Sequence, residues 1–462
     1  MNIFRRLSFH KRQGPVISMH NKNCLFHTDS PYFLTLGPHS FILYSVIKNG
    51  RLTMEINLNM YQTLAAAVAV FFLGGFLKTK IKLLRKYCIP APVIGGTIFS
   101  ILNCILYTRG IWTYTQDTVM QNWCMMLFFT SIGYMASVHL IRKGGLLVIK
   151  MALLVGILIV MQNLIGISLS RFFGENPLMG LADGSIPLVG GHGTSGSFGP
   201  VLESMGLSDA TTIAFAAATF GLVAGSFIGG PIGELLIRRF RLTSSEGRVI
   251  DASLPGGKMG PHPETENDED AAANYLNMDN FMYAFGQLLL AMGIGTYVSQ
   301  FFIDIGLVFP GYIGAMIVAA VIRNIAEGTG LYGIYQKESE VLGGMCLNIF
   351  ISCALMSLKL WQLADLAVPL IITLLIQTVV MALFAYFVIF RVMGGNYEAA
   401  VMASGTCGFG MGATPNAIAN MNAMCERFGP AHTAYFVIPL IGAFVVDFLN
   451  ASILMIFMNL LK

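Results

Sequence analysis

Long apolar runs alternate with short polar connections along most of this chain. The continuous apolar runs lie at 61–77, 89–107, 122–140, 146–170, 210–237, 281–303, 308–325, 341–358, 366–390 and 432–460. A helix that crosses the hydrocarbon core of a bilayer needs roughly 20 apolar residues, and most of these runs are close to that length. The pattern therefore predicts an all-α integral membrane protein with ten transmembrane helices.

Two further apolar stretches, 178–205 and 396–428, are interrupted by glycine and small polar residues. The interruptions lie at 190–197 and 408–415. Glycine is a poor helix former and adopts positive φ freely, so both runs should break the helix and expose backbone N–H and C=O groups. In a membrane, such groups survive only where protein or a water-lined cavity satisfies them. We therefore expect two re-entrant hairpins.

Composition agrees with a membrane protein. Hydrophobic residues make up 55% of the chain and charged residues 11%, too few for the charged surface of a soluble protein. The net charge of +4 is small and the basic residues lie in short connections, which does not suit nucleic-acid binding. The eight cysteines have no C-x-x-C spacing and read as small core residues.

The basic residues also orient the chain. If the first helix starts outside, 16 lysines and arginines lie in cytoplasmic connections and four lie outside. The positive-inside rule favours this orientation and places the polar, acidic stretch 241–280 in the cytoplasm as a flexible linker. Seven basic residues precede Met54 and would lie on the wrong side. We therefore interpret 1–53 as a disordered extension or the product of a mis-set start codon.

The two halves of the chain share an order of features. A shift of 219 positions places Gly95 on Gly314 and the glycines at 191–193 on those at 410–412. We infer two repeats, 54–240 and 281–462, with five crossings each. Because five is odd, the second repeat should be inverted, so that one re-entrant segment approaches the midplane from each face.

The interruptions carry the candidate substrate-binding residues. Backbone amides at the start of a half-helix suit a carboxylate, and hydroxyl and amide side chains add donors and acceptors. The alternative is structural, since small residues allow close helix packing, asparagines cap helices and His192 is as easily a core residue. The candidates are Gly191, His192, Gly193, Thr194, Ser195, Ser197, Gly412, Thr414, Asn416 and Asn420.

A cation site is predicted near the last apolar run. Asp447 is an acid at membrane depth, which is costly and by default functional, and Asn450 lies three residues on along the same helix face. With the hydroxyls of Thr414 and Ser195, these residues are the candidate Na⁺ ligands. The lack of other buried carboxylates favours Na⁺ over a proton, although Asp447 could serve either ion or form a structural hydrogen bond.

The interruptions resemble one known family. The sequence G-G-H-G-T at 190–194, the sequence G-M-G-A-T-P at 410–415 and the following Asn420 are similar to the bacterial sodium/glutamate symporter family. That family resembles the sodium/citrate transporters, which carry G-G-x-G loops and work as homodimers by an elevator movement. Phe409 stands where that pattern has its first glycine. The resemblance implies Na⁺-coupled uptake of L-glutamate across a bacterial inner membrane by a homodimer.

Other functions stay open at this point. One is a sodium- or proton-coupled transporter of another acidic amino acid or dicarboxylate. A second is an intramembrane serine protease, because residues 193–196 read G-T-S-G, although a nucleophilic serine needs a histidine base on another element. A third is a passive channel. The chain has no Walker motif, so we expect an ion gradient as the energy source, with no enzyme activity and no cofactor besides the co-transported Na⁺.

Overall fold

The computed structural model of the chain describes residues 43–48, 51–87, 89–139, 145–244, 278–305, 310–363 and 366–462. These residues are mostly helical, as predicted. The helices of the first half are α1 Met60–Lys80, α2 Lys82–Lys86, α3 Ala91–Thr108, α4 Val119–Met135, α5 Gly145–Phe172, α6 Met179–Ala182, α7 Ser185–Leu188, α8 Gly191–Ser204 and α9 Ala210–Phe240.

The second half of the chain is also helical. Its helices are α10 Met278–Asp304, α11 Tyr312–Thr329, α12 Gln336–Met356, α13 Ala367–Val392, α14 Tyr397–Gly410, α15 Thr414–Phe428, α16 His432–Leu440 and α17 Val446–Leu461. A π-helical turn, Ala385–Ile389, lies within α13, and a second one, Ile441–Val445, joins α16 to α17. A short 3-10 helix covers Leu360–Leu363.

Seven of the described helices are long and apolar enough to cross a membrane: α1, α3, α5, α9, α10, α12 and α13. The chain is therefore a multi-pass membrane protein. Helix α4 has 17 residues, and the π-helical turn divides the last predicted crossing. Helix α11 contains Arg323, which the charge count assigns to a cytoplasmic connection. Arg323 instead lies buried, 3.9 Å from Glu327 and over the ring of Tyr134.

The helices pack in two groups. Group A consists of α1, α3, α4, α10, α11 and α12, and group B consists of α5–α9 and α13–α17. Each group takes helices from both halves of the chain, and the contacts cross between the halves: α3 packs on α12 while α11 packs on α4. In group B, α5 likewise packs on α17 while α13 packs on α9. The largest hydrophobic core runs through group B.

Gly95 and Gly314 allow close packing within group A. A Cβ added to Gly95 would lie 1.9 Å from the carbonyl oxygen of Val70, and one added to Gly314 would lie 2.2 Å from that of Gly295. Gly95 and Gly314 are the pair that the shift of 219 positions superposes. Small residues at such crossings are typical of membrane helices.

A small sheet was not predicted. Strands β1 Leu43–Lys48, β2 Arg51–Leu58 and β3 Trp112–Gln116 form it in that order, with β1 antiparallel and β3 parallel to β2. Strand β3 lies between α3 and α4, and β1 lies within the predicted extension. Residues 1–42 and 245–277 lie outside the described residues, so the predictions of a disordered extension and a flexible linker stay predictions.

Candidate functional site

The two interrupted stretches meet at their tips. We call residues 179–204 (α6–α8) the first broken segment and residues 397–428 (α14 and α15) the second. Gly191, at the start of α8, has φ +62°, and a Cβ added to it would lie 3.0 Å from the carbonyl oxygen of Gly412. The structure therefore brings together the two glycine motifs that lie in different halves of the chain.

The glycine runs break the helix over a shorter length than expected. In the first broken segment the break is at 189–190, and residues 191–197 already form the first turns of α8. In the second, residues 408–410 belong to α14 and the break is at 411–413. Once a residue with positive φ has turned the chain, the residues after it can resume helical angles. Helices α8 and α15 thus both begin at the tips, where their first N–H groups lack intrahelical partners.

Ser195 and Ser197 of the first broken segment are buried and donate to backbone carbonyls. Ser195 Oγ donates to the carbonyl oxygens of Gly191 (2.7 Å) and Ala214 (3.2 Å), and Ser197 Oγ donates to that of Thr194 (3.0 Å). Their hydroxyl protons are therefore used within the protein. Their oxygen lone pairs can still accept a hydrogen bond or contact a cation.

His192 is not positioned to act as a catalytic base for Ser195. Its Nε2 lies 3.1 Å from Thr219 Oγ1, and its ring packs against Phe215. Gly193 faces Phe128 of group A, where a Cβ would lie 3.2 Å from the ring. The hydroxyl of Ser195 is directed to carbonyls, so this geometry does not support the serine protease hypothesis.

The polar residues of the second broken segment bond to neighbouring helices. Thr414 Oγ1 donates to the carbonyl oxygen of Gly442 at 2.8 Å. Asn416 Nδ2 donates to the carbonyl oxygen of Leu222 (2.8 Å) and to Ser226 Oγ (2.9 Å) on α9, whereas its Oδ1 is buried with no partner among the described residues.

The second broken segment packs against a row of glycines on α9. Asn420 Nδ2 donates to the carbonyl oxygens of Gly225 (3.1 Å) and Ser404 (3.3 Å). A Cβ added to Gly221 would lie 2.2 Å from the carbonyl oxygen of Met411. Backbone contact this close requires glycine. Asn420 therefore joins α9 to the segment.

Asp447 lies in α17 between the contact points of the two segments. Gly442, which precedes Asp447 in the chain, accepts a hydrogen bond from Thr414 of the second segment. Asn450, which follows Asp447, accepts one from Ser185 of the first segment. The Asp447 side chain is partly exposed, and no described residue donates to its carboxylate. On group A, Tyr312 interacts electrostatically with Asp447, and its buried hydroxyl lies close to Ser197.

Asn450 is placed differently from the prediction. Its Oδ1 accepts from Ser185 Oγ (2.7 Å) and its Nδ2 donates to the carbonyl oxygen of Ser185 (3.2 Å). Both ends of the amide are thus engaged with helix α7. The spacing of three residues from Asp447 is real, but the amide holds the first broken segment against α17.

Asp183 was missed by the sequence interpretation. It lies between α6 and α7, is 0% exposed, and neither carboxylate oxygen has a hydrogen-bond partner among the described residues. The expectation that Asp447 is the only buried carboxylate is therefore wrong. The signal was present, because an acid within the apolar stretch 178–205 is a functional candidate by the same argument as Asp447.

Comparison with known proteins decides the family. The profile of the sodium/glutamate symporter family matches residues 56–430. The chain is 37% identical over 405 residues to the sodium/glutamate symporter of Escherichia coli, which covers 87% of this chain and 98% of that protein. It is 36% identical over 410 residues to the sodium/glutamate symporter of Haemophilus influenzae, and this match covers 87% of this chain and 97% of that protein. This chain belongs to the sodium/glutamate symporter family.

The family match covers both broken segments and ends before Asp447. Within a symporter, the tips offer two helix N-termini, where unpaired N–H groups favour an anion, and the adjacent Asp447 offers oxygens for a cation. Among the described residues, no three His, Cys, Asp or Glu side chains converge on one point. A hard cation bound mostly by neutral oxygens fits this site better than a transition metal does.

Proposed function

We propose that this chain is a secondary active transporter that takes up L-glutamate together with Na⁺. The observation that carries the proposal is the meeting of the two broken segments beside Asp447. The relatives are named sodium/glutamate symporters, and these names indicate which substrate and which ion to expect. A site with anion-binding helix ends and a carboxylate close by can hold both at once.

Within this proposal, the first turns of α8 and α15 bind the carboxylates of glutamate. Gly191, His192 and Gly193 present backbone N–H groups there, and no described arginine lies at the tips to do so instead. Na⁺ binds at Asp447, with the oxygens of Thr414 and Ser195 as further ligands. We do not include Asn450 among the Na⁺ ligands, because its amide is hydrogen-bonded to Ser185. Asn450 is instead a positioning residue.

The proposal extends to the architecture. We assign ten crossings in two inverted repeats, with the broken segments as re-entrant hairpins, in the inner membrane of a bacterium. The separate packing of groups A and B supports an elevator movement, in which group B carries the ligands past group A. The ring of Phe198 in group B meets that of Tyr312 in group A, with centroids 6.2 Å apart, at the surface where such sliding would occur. Group A, with the exposed faces of α1 and α10, would form the homodimer.

The test is uptake of radiolabelled L-glutamate into proteoliposomes that contain the purified chain. We expect uptake with an inward Na⁺ gradient and none with K⁺ at the same ionic strength. Competition by aspartate and by dicarboxylates lacking the amino group then ranks the substrates. Equal uptake in K⁺ would contradict Na⁺ coupling, and uptake of a dicarboxylate but not glutamate would move the chain to the alternative substrate class.

A further inference from the structure

Tyr312 is a residue of group A that reaches into group B. It is the first residue of α11 and is 1% exposed. Together with Phe129 of α4, it belongs to the hydrophobic core that runs through group B. Its ring stacks on that of Phe129 with centroids 3.8 Å apart, and it meets the ring of Phe198 on α8 edge to face. The side chain thus joins two helices of group A to the first broken segment.

The backbone that carries Tyr312 is fixed to group A. Ser299 Oγ on α10 donates to the carbonyl oxygen of Gly311 at 2.7 Å and accepts from the N–H of Gly314 at 3.2 Å. These two glycines flank Tyr312 in the chain, so the start of α11 has a defined place on α10. Tyr312 therefore stays with group A when group B moves, and its contacts with α8 must then break.

The hydroxyl of Tyr312 is directed to the polar side of group B. It is buried and lies close to Ser197 of α8, and Tyr312 interacts electrostatically with Asp447 of α17. Ser197 Oγ donates its own proton to the carbonyl oxygen of Thr194, so its lone pairs can accept a proton from the phenol. A buried hydroxyl separated from its acceptor is unfavourable. The polar contact therefore favours the arrangement of the two groups that the structure shows.

We propose that Tyr312 is a positioning residue that holds the first broken segment against group A in only one of the two end positions of the transporter. Movement of group B would separate the ring of Phe198 from that of Tyr312 and leave the hydroxyl without Ser197. The shift of 219 positions places Val93 on Tyr312, and Val93 has no hydroxyl, so the repeat offers no equivalent polar contact for the other end position. This role rests on the proposed function, because it requires the elevator movement.

The first experiment fixes the contact covalently, with a membrane-permeant, reducible cross-linker for thiols and in a background with the native cysteines replaced. Tyr312→Cys with Phe198→Cys joins group A to group B, whereas Tyr312→Cys with Phe129→Cys lies within group A and is the matched control. We expect cross-linking of the first pair to lower Na⁺-driven glutamate uptake at least about 10-fold and reduction to restore it, with uptake of the control pair changed less than about twofold. Unchanged uptake in the cross-linked first pair would overturn the proposal.

The second measurement does not need transport. Spin labels on Tyr297→Cys of α10 and Val379→Cys of α13, both exposed, report the distance between groups A and B by double electron–electron resonance. We expect two distances. In Tyr312→Phe, which keeps the ring and removes only the hydroxyl, the ratio of their populations should shift about 2- to 10-fold away from the distance in the structure. Tyr332→Phe removes a hydroxyl that donates to the carbonyl oxygen of Ile322 within group A, and this control should leave the ratio unchanged.

A single distance, or the same ratio in Tyr312→Phe as in the parent, would overturn the proposal, and this result is obtained even if a cysteine pair does not fold. If the ratio shifts as expected but the parent takes up no glutamate in Na⁺, the positioning role of Tyr312 is retained and the proposed function fails. Na⁺-driven uptake by the parent with an unchanged ratio has the opposite meaning.

Discussion

The two broken segments have similar glycine motifs but different ways of satisfying their polar groups. The second is joined to α9 by Asn416 and Asn420, whose amides donate to backbone carbonyls. The first is joined to α5 and α17 through Ser185, and it contains Asp183 with no partner among the described residues. The second segment thus leaves only the Oδ1 of its attaching amide Asn416 unpaired, whereas the first contains a whole carboxylate group without a partner among the described residues.

The environments of the segments differ in the same way. The second packs against α9, α13 and α16, all in group B. The first also lies against group A, where a Cβ added to Gly196 would lie 2.6 Å from the ring of Phe350. The segment with the unpaired carboxylate is therefore the one in contact with the helices past which group B is proposed to move.

The largest effect is expected where the second segment meets the glycines of α9. In Gly221→Ala the new Cβ would lie 2.2 Å from the carbonyl oxygen of Met411, and backbone cannot move aside as a flexible side chain does. Overpacking of this kind costs about 1–3 kcal/mol or more, so we expect a lower melting temperature and a loss of most uptake. Gly230→Ala, on the same helix with no atom within 4 Å, is the control and should behave as the parent. Equal stability of the two variants would show that the close contact is not required.

Asp447→Asn should have the next largest effect. If the carboxylate binds the coupling ion, its loss should raise the Na⁺ concentration for half-maximal uptake by roughly 10- to 150-fold, the equivalent of about 1–3 kcal/mol. Uptake measured over a range of Na⁺ concentrations checks this. Unchanged Na⁺ dependence with glutamate transport retained would remove Asp447 from the ion site.

Asn416→Ala and Asn450→Ala compare the attachment of the two segments directly. Each substitution removes two hydrogen bonds between a segment and a neighbouring helix, and a buried donor or acceptor left without its partner costs about 1–3 kcal/mol. We expect both variants to lower thermal stability by similar amounts. Asn416→Ala should also weaken glutamate binding by about 10-fold, because Asn416 lies in the first turn of α15, at the second tip. Equal glutamate affinity in the two variants would argue against a role of the second tip in the substrate site.

Ser195→Ala should have the smallest effect of this series. Its hydroxyl donates to carbonyls of α8 and α9, so the substitution removes an oxygen from the site without leaving a free donor behind. We expect a change of about threefold in glutamate or Na⁺ affinity, measured by uptake. A loss comparable with that of Asp447→Asn would make Ser195 a principal ligand.

Much of the helical order could be predicted from the sequence, because apolar length and glycine interruption are local properties. The positions of the two segments and the glycine pair at 95 and 314 were predictable in this way. The partners of Ser195, Thr414 and Asn450 were not, since spacing along a helix does not reveal which carbonyl lies opposite a side chain. Strand β3 was missed because Trp112–Gln116 is short and its pairing partner lies more than 50 residues earlier. Asp183 was missed because it precedes the glycine run.

The central claim is that glutamate and Na⁺ bind where the two tips meet. Pro415 is exposed at the second tip, so Pro415→Cys, in a background with the native cysteines replaced, should react with a membrane-impermeant thiol reagent. We predict that Na⁺ and glutamate together slow this reaction at least about 10-fold, that K⁺ with glutamate does not, and that a cysteine at Asp304 is labelled equally in all conditions. Labelling of Pro415→Cys at the same rate with and without Na⁺ and glutamate would contradict a binding site between the tips.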